Sequence, residues 1–126
     1  MNLAVSIGAV KVLIELNDSP TAKALAAAAP FSSQAQTWGE EVYFSTPVSA
    51  KREANAKQVV DAGTACFWCD GDAIALPFGR TPISTDERPK LASPCNVIGR
   101  VSGEAKVLAR VRPGDKIQVE LEPQAR

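Results

Sequence analysis

Apolar residues occupy every second position in several short stretches of this chain. Over residues 10–16 they fall on the even positions, with Lys11 and Glu15 between them. Such alternation is typical of a half-buried β-strand, because successive side chains point to opposite faces. Seven or eight short strands are expected, without the strand–helix–strand alternation of a parallel sheet. We therefore predict a mostly β fold, a compact closed antiparallel β-barrel of about eight strands with one or two short capping helices.

Turn residues divide the predicted strands. Gly8-Ala9 and Asp70-Gly71 each separate two apolar stretches and indicate hairpins. Pro47 ends the strand that starts near Glu40. The strand-bearing segments are predicted at residues 3–16, 40–46, 64–78, 96–101 and 116–122.

Two short helices are expected, over residues 21–29 and 104–109. The first follows the N-cap candidates Asn17-Asp18-Ser19, begins near Pro20, is rich in alanine and should end at Pro30. Residues 31–36 are predicted to be a polar loop, and residues 56–60 at most a short helix or single turn. Residues 79–94 form a long predicted connection, and loops of this length in small domains are often functional.

Length and charge limit the classes of function. A chain of 126 residues fits one domain, residues 1–126. Fourteen basic and 14 acidic residues give zero net charge, so we expect neither a nucleic acid nor a membrane as partner. The chain has no histidine, which excludes Ser-His-Asp and Cys-His nucleophile systems. No apolar stretch approaches a membrane span and the N-terminus is not typical of a signal peptide, so a cytoplasmic location is expected.

The three cysteines are not expected to carry redox or metal chemistry. Cys66-Phe67-Trp68-Cys69 has the Cys-x-x-Cys spacing, but it lies in a predicted strand rather than at the start of a helix. Cys66 and Cys69 should then face opposite sides of the strand, one buried and one outside, and remain reduced together with Cys95. We predict no metal site and no cofactor.

Polar residues with possible chemistry cluster near two predicted strand ends. Glu40, beside Trp38-Gly39, is a candidate acid, base or ligand-binding acceptor, or simply a solvated charge. Arg80 and Thr81 lie where a predicted strand passes into the long loop, a place where loops can build a pocket or merely make a turn. Most of the seven aromatic residues should be in the core, and a minority could line an apolar groove.

Four blocks of sequence carry a resemblance to a known family. They are residues 37–48 (Thr-Trp-Gly-Glu-Glu-Val-Tyr-Phe-Ser-Thr-Pro-Val), residues 76–82 (Leu-Pro-Phe-Gly-Arg-Thr-Pro), residues 96–100 (Asn-Val-Ile-Gly-Arg) and the strand entry Gly114-Asp115. They resemble a small prokaryotic cyclophilin-like family of undetermined function. The resemblance implies a compact cyclophilin barrel of eight antiparallel strands capped by helices.

The resemblance does not bring an activity with it. Cyclophilin prolyl isomerases use an arginine in a Phe-His-Arg context and a nearby Phe-Met-x-Gln stretch, whereas this chain has no histidine and Met1 as its sole methionine. Isomerisation requires a cationic hydrogen-bond donor and an apolar pocket, so Arg80 or Arg100 beside Phe44 or Phe78 could replace that machinery.

We expect a binding module for a small molecule or an extended peptide, with a shallow pocket at the predicted strand ends. The alternatives are a weak peptidyl-prolyl cis-trans isomerase and a structural or oligomeric interaction protein, including a homodimer formed through an outer face that carries Trp68. The predicted ligand-binding residues are Glu40, Tyr43, Phe44, Phe78, Arg80, Thr81 and Asn96.

Overall fold

A computed structural model describes residues 1–122 of the chain. It contains one α-helix, two short 3₁₀ helices and ten strands. The strands are β1 (Asn2–Ile7), β2 (Val10–Leu16), β3 (Phe31–Gln34), β4 (Gln36–Thr37), β5 (Glu41–Ser45), β6 (Lys57–Val59), β7 (Thr64–Trp68), β8 (Ala73–Pro77), β9 (Lys90–Ser102) and β10 (Lys116–Glu122). The helices are α1 (Pro20–Ala28) and the 3₁₀ turns Cys69–Gly71 and Ala105–Arg110.

The strands form one antiparallel sheet in the order β3-β10-β1-β2-β9-β7-β8-β5-β4, and β6 pairs with β9. This confirms the mostly β, antiparallel prediction. The path of hydrogen-bonded strands starts at β3 and ends at β4, and within residues 1–122 no ladder joins these two ends, so closure of the barrel is not confirmed. The two end strands are consecutive in the chain, separated by Ala35 alone.

The central strands are buried on both faces. On one face, Phe44, Phe67 and Ile74 belong to the main hydrophobic core. On the other face a second, smaller apolar cluster contains Val60, Cys66, Ala75, Leu91 and Cys95. All five residues of β8 are buried, because this strand contributes side chains to both clusters. The sheet therefore separates two apolar layers, and the candidate site lies in the smaller one.

Helix α1 follows the predicted boundaries closely. The Ser19 side chain caps it by accepting a hydrogen bond from the Ala22 N–H, and Pro20 occupies its first turn. Leu25 is fully buried against the main core, and the helix ends before Pro30. The two predicted hairpins also form, β1 with β2 and β7 with β8.

Three segments that were not predicted to be strands contain strand structure. The polar segment 31–36 supplies β3 and the start of β4, and residues 57–59 form β6 rather than a helical turn. Strand β9 begins at Lys90, six residues earlier than predicted, and passes through Pro94. Pro94 fits because it lies between Lys90 and Cys95, where the pairing of β9 with β6 shifts register.

Candidate ligand-binding site

A cavity of about 290 Å³ opens on the smaller apolar layer. It lies over β5 and β8 and is bordered by the first half of β9. It is mostly apolar, and one carboxyl group is part of its wall. The lining residues are Trp38, Glu41, Tyr43, Trp68, Ala75, Leu91, Ala92 and Cys95.

Strand register explains why these side chains meet. Glu41 and Tyr43 are two residues apart on β5 and therefore share one face, whereas Val42 and Phe44 point into the main core. Tyr43 pairs with Ala75 on β8, and Ala75 in turn pairs with Cys66 on β7. Because the side chain of Ala75 is small, it leaves space above the sheet beside Tyr43. Ala75 therefore forms the floor of the cavity.

Aromatic side chains form the walls. Tyr43 and Trp68 meet edge to face, with ring centroids 6.3 Å apart and an interplanar angle of 86°. The indole Nε1–H of Trp68 donates to Ser93 Oγ at 3.1 Å, which fixes the ring against β9. Both rings are half-buried. They are thus held in place and still present surface to the cavity.

Trp38 is positioned by a tight turn into β5. Its backbone N–H donates to the Glu41 carbonyl at 3.0 Å, and Gly39 between them has φ of +59°. A Cβ atom on Gly39 would lie 2.8 Å from Pro82 Cδ, so glycine also permits the close approach of the 80–82 segment. The Trp-Gly-Glu-Glu sequence is therefore the turn that brings Trp38 to the cavity.

Glu41 is the charged group of the site. Its side chain is 6% exposed, and its Oε1 atom is buried with no hydrogen-bond partner among residues 1–122. Burial raises the pKa of Glu41 from 4.5 to about 7, because the ionised carboxylate loses its hydration. Near neutral pH the carboxyl group is therefore divided between its protonated and ionised forms.

The thiols beside this carboxyl group are unreactive. Burial, with a smaller contribution from the charge of Glu41, raises the pKa of Cys95 to about 12, and burial also raises the pKa of Cys66. Cys95 Sγ donates to the Ser93 carbonyl at 3.3 Å. All three cysteines are free. Cys66 and Cys69 were expected to face opposite sides of one strand, but Cys69 lies in the 3₁₀ turn after β7, so strand alternation does not apply to it. Cys66 is buried in the smaller layer.

Of the seven predicted ligand-binding residues, Tyr43 lines this cavity and the other six do not. Three of those six, Glu40 before β5 and Arg80 and Thr81 in the loop that follows β8, lie close together in the structure. The Glu40 carboxylate accepts a hydrogen bond from the Arg80 N–H at 3.2 Å, and the exposed Arg80 guanidinium donates to the Ser84 carbonyl at 3.4 Å. Thr81 is buried, and its hydroxyl donates to the Lys90 carbonyl. These contacts order the loop.

The remaining three predicted residues are separated from one another. Phe44 is fully buried in the main core. Phe78 is 9% exposed, packs against the same core and borders a second, more polar depression of about 370 Å³ together with Arg100. Asn96 is completely buried: its Oδ1 accepts from the Glu53 N–H at 2.7 Å, and its Nδ2 donates to the Thr21 hydroxyl and the Lys51 carbonyl, both at 2.9 Å. Asn96 therefore joins helix α1, the 51–53 segment and β9.

Most residues that line the cavity were not among the predicted ligand-binding residues. Glu40 rather than Glu41 was the predicted functional carboxylate. Trp38 was named beside Glu40 and Trp68 on the face of a possible homodimer, and neither was predicted to bind the ligand. Alternation of side chains along β5 places Glu41 on the same face as Tyr43, and this pattern in the sequence could have identified Glu41. Contributions from β9 could not be inferred, because its first half was predicted to be a loop. The missed lining residues are Trp38, Glu41, Trp68, Ala75, Leu91, Ala92 and Cys95.

Comparison with known proteins agrees with the fold. The model of the Cyclophilin-like family matches residues 1–120, and the chain belongs to this family. The solution structure of a hypothetical protein from Archaeoglobus fulgidus is similar, with a TM-score of 0.83 and 38% sequence identity over 97% of this chain and 95% of that one. No curated protein matches the chain.

Within residues 1–122, no helix is both long enough and apolar enough to cross a membrane. No group of three or more cysteine, aspartate or glutamate side chains comes together in an arrangement that could hold a metal ion there.

Proposed function

We propose that this protein is a binding module, and that the cavity beside Glu41 takes a small ligand or one side chain of an extended peptide. The observation that carries the proposal is the Oε1 atom of Glu41, which is buried in an apolar cavity without a hydrogen-bond partner within residues 1–122. A buried polar atom left unpaired costs about 1–3 kcal/mol. A ligand that brings a hydrogen-bond donor or a positive charge to this atom would recover that free energy.

The shape and chemistry of the cavity support the same proposal. Ligand pockets are mostly apolar, with a few fixed polar groups that orient the ligand. Here Trp38, Tyr43 and Trp68 supply apolar surface, and Glu41 supplies the polar group. A volume of about 290 Å³ suits a fragment-sized molecule or a single side chain.

Ligand screening by thermal shift tests the proposal, because stabilisation depends on ligand concentration relative to Kd and requires no assumption about chemistry. A fragment library should contain compounds that stabilise the parent protein. Ala92 is exposed at the rim of the cavity, so Ala92→Leu should obstruct entry without loss of folding. We expect Ala92→Leu to abolish the stabilisation.

Arg80→Ala is the matched control for the predicted loop site. Arg80 is exposed and outside the cavity, so its replacement should leave both the melting temperature and ligand stabilisation nearly unchanged. Loss of binding in Arg80→Ala together with full binding in Ala92→Leu would place the ligand at the loop of residues 78–89. A screen in which no compound stabilises the parent protein would contradict the binding function.

A second candidate, weak prolyl isomerisation, is favoured by one observation. Arg100 and Phe78 border the same depression, which pairs a guanidinium donor with an aromatic side chain. A proline-peptide exchange assay tests it. Rates in the presence of the protein that exceed a protein-free control, and that fall in Arg100→Ala, would support isomerisation, whereas rates equal to the control would exclude it.

The third candidate is self-association through the face that carries Trp68. Trp68 is half-buried and lies at the cavity, so a second copy of the chain could cover it. Light scattering at high concentration tests this directly, and a monomeric mass would exclude the homodimer.

Closure of the barrel is part of the same proposal. Ser33 Oγ and Ser45 Oγ lie 3.3 Å apart, so β3 runs beside β5 at the open ends of the sheet. Backbone pairing there would close the sheet at the end of β5 that β4 does not cover. NMR contacts between backbone protons of Ser33 and Ser45 would establish it.

A further inference from the structure

We propose that the ligand of this cavity is an organic cation, a small alkylammonium group that places its positive charge at Glu41 Oε1 and its alkyl carbons against Trp38, Tyr43 and Trp68. The inference rests on the proposed binding function and adds the chemical class of the ligand. The inference is argued from the charge of Glu41, from the aromatic walls of the cavity and from the lining residues, which include no lysine or arginine.

The carboxylate of Glu41 is not neutralised by the protein. No lysine or arginine is among the residues that line the cavity. The one ion pair formed within residues 1–122 joins Arg88 to Asp86, on the exposed loop. The titratable groups next to Glu41 are the thiols of Cys66 and Cys95 and the phenol of Tyr43, and none of these carries a positive charge. Arg52 and Asp70 lie near enough for their opposite charges to act on Cys95, but neither lines the cavity. A cation in contact with Glu41 inside this cavity would therefore have to be supplied by a ligand.

The walls of the cavity suit such a cation. The faces of tryptophan and tyrosine rings are electron-rich and attract ammonium groups, and quaternary ammonium ligands in particular are recognised by groups of aromatic rings. The edge-to-face arrangement of Tyr43 and Trp68 turns two rings in different directions around one space. A carboxylate beside three aromatic side chains offers charge compensation and cation–π attraction at one position.

A neutral ligand is the alternative, and it predicts the opposite pH dependence. Protonated Glu41 could donate a hydrogen bond to a carbonyl group, and such binding would weaken as the carboxyl group ionises. A cation binds the ionised form, so its affinity should rise with pH through the pKa of Glu41, which lies at about 7. The sign of the pH dependence therefore distinguishes the two classes.

The test compares choline with its uncharged isostere, the alcohol in which a carbon atom replaces the nitrogen. Tryptophan fluorescence follows titration of the full chain at about pH 8 and about pH 6. At about pH 8 choline should bind at least about tenfold more tightly than the isostere. Its association constant should fall about tenfold at about pH 6, in proportion to the ionised fraction of Glu41. Binding of the isostere should not fall.

Two glutamate-to-glutamine variants separate the charge of Glu41 from general effects. Glu41→Gln keeps the size of the side chain and removes its charge, so it should lose both the preference for choline and the pH dependence. Glu120→Gln makes the same change on the exposed side of β10 and should bind choline like the parent protein. Unfolding curves of both variants confirm that they fold.

The outcomes distinguish this inference from the binding function itself. Equal affinities for choline and the isostere, a choline affinity that does not depend on pH, or unchanged choline binding in Glu41→Gln would each overturn the cation assignment. Stabilisation by fragments that Ala92→Leu abolishes, without binding of choline, would also overturn it while the binding function stands. Failure of choline and of every fragment would overturn both.

Discussion

Replacing Glu41 with glutamine should make the free energy of unfolding less dependent on pH. In the folded chain burial raises the pKa of Glu41 from 4.5 to about 7. Between these pH values the folded state holds a proton that the unfolded state has released, so the free energy of unfolding falls as pH rises. The contribution is fully present below pH 4.5 and is lost as pH rises through about 7. A pKa difference of this size corresponds to about 3 kcal/mol.

Urea unfolding of the parent protein and of Glu41→Gln, at about pH 4 and about pH 8, measures this contribution. At about pH 4 the carboxyl group is neutral in the folded chain, so the variant resembles the parent protein there. At about pH 8 the parent protein carries a buried carboxylate and the variant does not. The stability of the variant relative to the parent should therefore increase by about 3 kcal/mol between the two conditions.

Other titrating groups are common to both proteins and cancel in this difference. The pKa of Asp86, lowered to about 2 by hydrogen bonds from Arg88, affects stability with the opposite sign and only below the measured range. Glu120→Gln, an exposed change, should run parallel to the parent protein. If the Glu41→Gln difference also stays constant within about 0.5 kcal/mol, the size of a typical surface effect, burial of Glu41 has been misjudged.

Three further predictions concern the scaffold. Asn96→Ala should lower the free energy of unfolding by about 3 kcal/mol, measured in urea, because the three hydrogen bonds of this buried side chain disappear. Gly99→Ala should prevent folding, since the added Cβ would lie 1.9 Å from the Glu15 carbonyl oxygen. Gly103 also has a positive φ but lies in open space, so Gly103→Ala should lower the free energy of unfolding in urea by only about 1 kcal/mol. Thiol titration of the native protein should label Cys69 rapidly and the two buried thiols only after unfolding, and labelling of all three at one rate would contradict their burial.

Elements with strong local signals could be predicted from the sequence. The alternation in β2, the glycine turn before it and the capped, alanine-rich α1 each combine pattern with a boundary residue. Strand β10 was predicted with the boundaries that the structure shows, Lys116–Glu122. In these cases the residues that form the element also determine its ends, so no distant contact has to be known.

Strands without such signals could not be predicted. Phe31–Gln34 is a polar sequence whose strand conformation comes from backbone pairing with β10, about 85 residues away in the chain. The first half of β9 contains Pro94, which indicates a loop, yet it pairs irregularly with β6. Strand conformation here depends on the partner strand rather than on the segment itself.

The candidate site shows the same division between local and distant information. Adjacent residues on a strand face opposite sides, so strand alternation alone predicts different environments for Glu40 and Glu41. The same alternation puts Glu41 on the face of the sheet opposite to Phe44, which is in the main core. In a sheet covered on one face only, the Glu41 face would be exposed to solvent. Residues 91–95 of β9 and Trp68 cover that side, and their presence turns an ordinary surface glutamate into a buried carboxyl group with a raised pKa. The chemistry of Glu41 therefore depends on the second apolar layer, which no local pattern in the sequence indicates.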